Sequence, residues 1–389
     1  MVEFERIMRE LNLSEQYENE EGLDRLKKWC NENISQDIEY DGSSEEKYAD
    51  YLDLARNYLE NFLPNVPTDL SQKVSQFGNL NALQFAAQKG FHFFLKNLAK
   101  IPENLVNEKD HNGMTPLNLA ARQGNSLTIQ ALLEKGADLT LVSARKESPL
   151  QSVLFVPMWH SDNYLEKKNA LFKELWKKAP ETIRNEDIDG NNVLHLLASH
   201  NFPDLLKEVV QAQPSLASRA NNQMVYPVDT AVLNNQLDSF KSLIQVPNAA
   251  ALTDGLKRIP LHYAARYGDE KFIEACIPFT TDINTTDNEG KTPLLLAAEA
   301  GNMATVKALM ERGADASILD VNENTILHLS IKSENAGLVE WVLKHVPEEM
   351  VNQNNGEGNS PLTIAHQLHN TEIEDLLKSF GAVNSSYSI

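Results

Sequence analysis

The chain has 389 residues, 42% hydrophobic and 23% charged, the composition of an ordinary folded protein with room for two or three domains or one repeat array. No apolar run approaches the roughly 18 residues of a membrane span, and the opening MVEFERIMRELNL lacks the apolar core of a secretory signal, so a cytosolic or nuclear protein is expected. The net charge of −20 and pI near 4.9 repel phosphate backbones and anionic headgroups, which argues against nucleic acid and membrane insertion, and Cys30 and Cys276 match no metal or disulfide spacing.

Residues 1–75 hold 18 acidic side chains against 8 basic ones. The segments FERIMREL, EGLDRLKKWCNEN and EEKYADYLDLARNYLENFL show apolar residues at helical spacing, the last through Tyr48, Tyr51, Leu52, Leu54, Ala55, Tyr58, Leu59 and Phe62. Pro64 and Pro67 end that helix. A helical cap over the first unit of whatever follows is the expected role, with an independent accessory module or a docking face for a basic partner as the competing ones.

From residue 76 to 383 one pattern returns. Its leucine column runs Leu83, Leu117, Leu150, Leu194, Val228, Leu261, Leu294, Leu327 and Leu362, at intervals of 34, 33, 44, 34, 33, 33, 33 and 35 residues. In its fullest form, NGMTPLNLAARQGN at 112–125, Thr115 is placed to cap a helix that starts at Pro116, where a missing N–H costs nothing. Ser148-Pro149, Thr292-Pro293 and Ser360-Pro361 repeat the device. The Ala120-Ala121 pair permits close approach of a neighbouring helix, and Gly124 suits a left-handed helix end. A second amphipathic helix, LTIQALLEKG, ends at Gly136, and an extended turn leads to the next unit. The long third interval marks an eleven-residue insertion near 155–170, FVPMWHSDNYLEKKNALFKELW, expected as a loop between the unit's two helices. Phe155, Met158, Trp159 and Tyr164 there either pack back on the array or anchor a partner. The tail, 384–389, is expected to fray.

These blocks resemble the ankyrin repeat, with its T-P-L-H-x-A signature on a 33-residue period; the units at 110–142 and 287–319 match almost fully, and those beginning near 143, 221 and 355 are degenerate. The resemblance implies an all-α solenoid of about nine helix-turn-helix units behind an N-terminal helical cap, a monomeric scaffold that binds a protein partner and has no catalysis, cofactor or metal of its own. It places recognition on the hairpin tips and the concave face of the inner helices. Carried over residue by residue, that face takes His111, Asn112, Met114, Arg122 and Gln123 in the second unit, and Ile188, Asp189, Asn191 and His200 in the fourth. The sixth contributes Leu256, Arg258, Arg266 and Tyr267, and the seventh Asn288, Glu289, Lys291 and Glu299. Arg258, Arg266 and Tyr267 form a basic-aromatic cluster of the residue types that dominate interface energetics.

His195, His262 and His328 share one column; at roughly 10 Å or more per step they cannot converge on a metal, and the resemblance implies hydrogen bonds within and between turns. GKT at 290–292 echoes a phosphate loop, but Thr285 stands where the first glycine would be needed. Asn284 falls at the position where ankyrin repeats are hydroxylated on asparagine. The degenerate units and the Asn/Lys/Glu-rich surface are similar in style to ankyrin effectors that intracellular bacteria deliver into host cells without a cleaved signal peptide. That likeness implies a host protein as partner. An ankyrin adaptor native to its own cell is the alternative, as is an enzyme built from residues 1–75 and the insertion.

Overall fold

The computed structural model describes Lys28, residues 57 and 58, and residues 65–98, 101–155, 162–200 and 202–383. Most of the predicted N-terminal cap, Met158, Trp159, the side chain of Tyr164 and the tail lie outside the described residues. Among those described there are nineteen α-helices and no β-strand. Two compact units divide the chain, Met1–Ile188 and Asp189–Ile389.

The first unit holds α1 (Ala82–Lys89), α2 (His92–Asn97), α3 (Glu103–Val106), α4 (Pro116–Gln123), α5 (Ser126–Glu134), α6 (Pro149–Ser152) and α7 (Asp162–Lys178). The first helices of its repeats pack in a row, α1 on α4 and α4 on α6, while α2 packs on α5 behind them. Thr115 does cap α4, its Oγ1 accepting the Asn118 N–H at 3.2 Å, and Gly124 ends it at φ 79°. Tyr58 is buried with its ring edge-on to Phe91, centroids 5.0 Å apart. The insertion departs from the expected loop. From Asp162 onward its sequence is rich in Leu, Lys and Glu, good helix formers, and it continues as the 17-residue α7, burying Leu171, Phe172 and Leu175.

The second unit repeats the brick six times. Its first helices are α8 (Val193–Ser199), α10 (Pro227–Leu233), α12 (Pro260–Tyr267), α14 (Pro293–Glu299), α16 (Ile326–Lys332) and α18 (Pro361–Gln367). Its second helices are α9 (Pro203–Ala212), α11 (Leu237–Ile244), α13 (Glu270–Cys276), α15 (Met303–Glu311), α17 (Ala336–Leu343) and α19 (Thr371–Ser379). Each first helix packs on the next, and α9, α11, α13 and α15 line up likewise, as do α17 and α19. The leucine column is the core of both units: all nine positions are 4% exposed or less. A fully buried Leu contributes roughly 1.5–3 kcal/mol, and within each unit the stacking of bricks hides it, so neighbouring repeats of a unit depend on one another.

Candidate functional site

Seven repeats open with a hairpin whose first residue, Asp110, Ser143, Asn221, Asp254, Asp287, Asp320 or Asn355, folds the turn from its own side chain. Asp254 Oδ1 accepts the N–H groups of Leu256 at 2.7 Å and Arg258 at 2.8 Å. Asp287 does the same for Glu289 and Lys291, Asp320 for Asn322 and Asn324, and Asp110 for Asn112 and Met114. Successive tips are then tied by backbone hydrogen bonds: the Asn288 N–H donates to Leu256 O, Val321 to Glu289 O, and Gly356 to Asn322 O, at 2.8–2.9 Å. A short side chain that accepts from its own backbone two and four residues on is the mechanism of such turns. The tips therefore form a rigid row, and the middle residues of each hairpin are held outward.

The histidine column holds that row to the helices. Nδ1 of His262 accepts the Ile259 N–H at 3.1 Å, which fixes the proton on Nε2, 3.2 Å from the Lys291 carbonyl of the following hairpin. His195 repeats this with Asn192 and Val225, and His328 with Thr325 and Asn359. Burial holds His262 and His328 below the usual histidine range, despite the opposing hydrogen bonds to Lys291 O and Asn359 O. A neutral ring that must accept on one nitrogen and donate on the other is what this joint requires. These histidines are structural.

The predicted contact residues separate into two groups. His111, Asn112, Gln123, Asp189, Ile188, Leu256, Tyr267, Asn288 and Glu289 are exposed. Met114 is not: it is 5% exposed, because the fifth hairpin position turns back toward the helix end. Arg122 reaches its sulfur at 4.0 Å and lies over the Phe155 ring at 3.9 Å, making Phe155 the exposed neighbour in that unit. Asn191 accepts from Asn221 Nδ2 at 2.8 Å, and His200 Nδ1 lies 2.8 Å from both Ser199 Oγ and Leu196 O, so both are half-buried joints.

The basic-aromatic cluster is also corrected. Arg258 Nε is bound to Asp254 Oδ2 at 3.0 Å, and its guanidinium lies over the Tyr263 ring at 5.5 Å. Arg266 pairs with Glu299 at 2.9 Å, and Lys291, buried, pairs with Glu299 at 2.7 Å and Glu289 at 3.0 Å. Burial works against the Lys291 ammonium, but hydrogen bonds to Glu299 and Glu289 hold its pKa above the usual value. The cations are thus neutralised by carboxylates next to them. The large side chains left exposed beside them are apolar: Met224, Leu233, Leu256 and Tyr267 are 47%, 46%, 42% and 51% exposed. Met224 lies along the neighbouring hairpin, its Cγ 3.8 Å from where a Cβ on Gly255 would stand. Sequence reading missed Met224 and Leu233. Both are apolar residues in columns that other repeats fill with glycine (Gly113, Gly290) or with Arg122 and Arg266.

The other candidates each have a structural place. Gly290 and Thr292 of the GKT triplet serve the hairpin and the cap of α14, where the Leu295 N–H donates to Thr292 Oγ1. Cys276 is buried, and burial pushes its thiol up to about 12, which keeps it from acting as a thiolate nucleophile. Asn284 Oδ1 accepts the Asp315 N–H at 2.9 Å; Asn107 and Asn352 make the same link in their own repeats. Among the described residues no group of three or more His, Cys, Asp or Glu is placed to hold a metal ion, and no helix is long and apolar enough to cross a membrane.

The comparisons agree with this geometry. A sequence profile described as ankyrin repeats (3 copies) matches residues 48–143, 228–320 and 296–386. The chain is 26% identical over 206 residues to the Nuclear factor NF-kappa-B p105 subunit of Gallus gallus, a match covering 51% of this chain and 21% of that protein. It is 26% identical over 139 residues to Synphilin-1 of Mus musculus, covering 34% and 14%, and 26% identical over 251 residues to Inversin of Mus musculus, covering 62% and 22%. The chain thus spans about a fifth or less of the length of these relatives.

Proposed function

The chain belongs to the ankyrin repeat family, and from that premise we propose that it is a monomeric protein-binding scaffold whose contact face is centred on Met224, Leu233, Leu256 and Tyr267. The observation that carries this reading is the exposure of four large apolar side chains in the row of hairpin tips and helix ends, next to cations already neutralised within the repeats. Solvated apolar surface of this kind gains by being covered.

Charge describes the rest of the partner. Residues 189–267 carry six acidic and six basic side chains, whereas residues 268–389 carry nineteen acidic against seven basic. A segment that lays apolar anchors on the neutral centre and extends a basic flank over the later repeats fits both halves. The resemblance in style to bacterial effectors concerns where such a scaffold works. The relatives named above are animal proteins, and a translocation reporter fused to the chain, entering host cells or staying in the bacterium, decides that finer reading.

The test is a triple variant, Met224→Ser, Leu256→Ser and Tyr267→Ala, used beside the wild type as bait in cell lysate. All three side chains are exposed, so the melting temperature stays within a few degrees, while partners captured by the wild type are lost or weakened by about tenfold or more. A variant that retains every partner at full affinity removes this face from the function.

A further inference from the structure

Position three of the first helix does two jobs in the repeats where it is Asn118, His195, His262 or His328, and neither where it is Leu295 or Thr363. In those four it accepts the N–H of the residue before the helix, and it donates to a backbone carbonyl beyond its own repeat. Asn118 shows the pattern without a ring: Oδ1 accepts the Thr115 N–H at 3.1 Å, and Nδ2 donates to Glu147 O at 3.3 Å. His195, His262 and His328 donate to Val225 O, Lys291 O and Asn359 O. The four carbonyls so used occupy one place, the fifth residue of the next hairpin, and each also accepts the N–H of that hairpin's first residue.

In the fifth repeat the position is Asp229. Its Oδ2 accepts the Tyr226 N–H at 3.2 Å, which is the first job. The side chain is 0% exposed, and its Oδ1 has no hydrogen-bond partner. The carbonyl equivalent to those above belongs to Arg258, which accepts the Asp254 N–H at 3.1 Å and, like Met114 O and Asn324 O but unlike the four just named, receives nothing from the preceding repeat's helix. A carboxylate has only acceptors to offer a carbonyl, whereas a carboxylic acid has the one donor that is missing.

We propose that Asp229 is held as a neutral carboxylic acid whose Oδ1–H donates to the Arg258 carbonyl, so that one exchangeable proton closes the joint between the fifth and sixth repeats. Its surroundings favour that state. Helix α10 packs on α8, α11, α12 and the turn Pro214–Ser218. The α8 side contributes His195, bound to Val225 O; Asp238 and Lys241 of α11 are exposed; the turn has no charged residue. From the sixth repeat come Asp254, Arg258, Tyr263 and, on α13, Cys276. Asp254 is the anion of the group: it is buried, but hydrogen bonds from the Arg258 N–H, the Tyr263 hydroxyl at 2.8 Å and the Leu256 N–H more than offset that and hold its pKa low. Arg258 is already spent on Asp254. A second buried charge of the same sign beside it is disfavoured. Burial, reinforced by the Asp254 charge, pushes the Asp229 carboxyl up to about 8 against the opposing pull of the Tyr226 N–H and Arg258. The hairpin closed by this proton is the one that presents Leu256.

The test compares the wild type with Asp229→Asn, which places at this site the residue that Asn118 shows to be sufficient. The unfolded chain releases the proton near the ordinary aspartate value of about 3.9, and the native state releases it only near 8. Between those limits the native state alone holds it, so stability falls as the pH rises. The ratio of wild-type to Asp229→Asn unfolding constants is expected to climb about tenfold per pH unit between pH 5 and 7, and to level off above about 8. A ratio that does not change from pH 5 to 8 means an ionised Asp229 and overturns the proposal. Infrared difference spectroscopy on the wild type provides the second readout should the variant not fold. A protonated-carboxyl stretch is expected at pH 7, fading as the pH passes about 8, and its absence at pH 7 overturns the proposal equally.

Discussion

Besides Asn79 of the first repeat, at φ 62°, four hairpins put a side chain where the turn calls for a left-handed backbone: Lys146, Met224, Lys257 and Glu323, at φ 57–60°. The equivalent residues Gly113 and Gly290 reach φ 70° without a Cβ to strain. A left-handed residue other than glycine costs roughly 1–2 kcal/mol, and three of these four are charged residues with no large apolar surface to show for it. Met224 is different, since its strained backbone lifts a thioether onto the exposed face beside Leu256. Met224→Gly should therefore stabilise the fold by about 0.5–1 kcal/mol, raising the melting temperature by a few degrees, while weakening the partner by several-fold. Calorimetry and a binding titration on the same preparation check the pair, and an affinity that does not fall would leave Met224 as mere strain. The sequence displayed this residue but not its meaning. Apolar residues in polar columns stand out only once the columns are aligned on a structure, and the pairing of Arg258 with Asp254 four residues away looked like a free cation until its geometry was known.

At the level of elements, caps and turns were legible because their partners are local. Thr115 and Asn118, or Asp287 and Lys291, lie within four residues of each other, and residue type alone announces the bond. The second helix of the third repeat was not legible, because its stabilising contacts bridge almost fifty residues. Lys168 of α7 is fully buried, with Nζ donating to Ala121 O at 3.1 Å and to Arg122 O at 2.8 Å, the last carbonyls of α4. Gly124 leaves the room for it: a Cβ there would stand 3.1 Å from Lys168 Cε. Helix ends leave carbonyls short of partners; Ala121 O already accepts the Gly124 N–H at 3.1 Å, and Lys168 adds a second donor there and one to Arg122 O. The insertion that reads as a recognition loop is, from Asp162 onward, a cap for its neighbour. Lys168→Met keeps most of the volume and removes both donors, and it is expected to cost the first unit about 1–3 kcal/mol in a denaturant titration. An unchanged midpoint would mean that these two carbonyls find water instead.

At the scale of the whole chain, periodicity and charge carry different information. The interval of 33 residues exposed the bricks, because burial of one leucine per repeat is a condition of stacking. It said nothing about which stretch of the row meets a partner. The charge imbalance was visible too, as a total, but its division into a neutral stretch and an acidic one acquires meaning only beside the four apolar side chains at 224–267. Such an arrangement separates affinity from approach. Apolar anchors govern how long a complex lasts, and charges beyond them govern how fast it forms. Glu323 and Glu357, exposed on the tips of the last two hairpins, belong to the second class. Replacing both, Glu323→Gln with Glu357→Gln, should lower the association rate by roughly two- to threefold at low salt and flatten its dependence on ionic strength, with dissociation unchanged. Surface-immobilised partner and two salt concentrations suffice to measure it. If dissociation quickens instead, the acidic tips are direct contacts, and the centre of recognition moves from Leu256 and Tyr267 toward the last repeats.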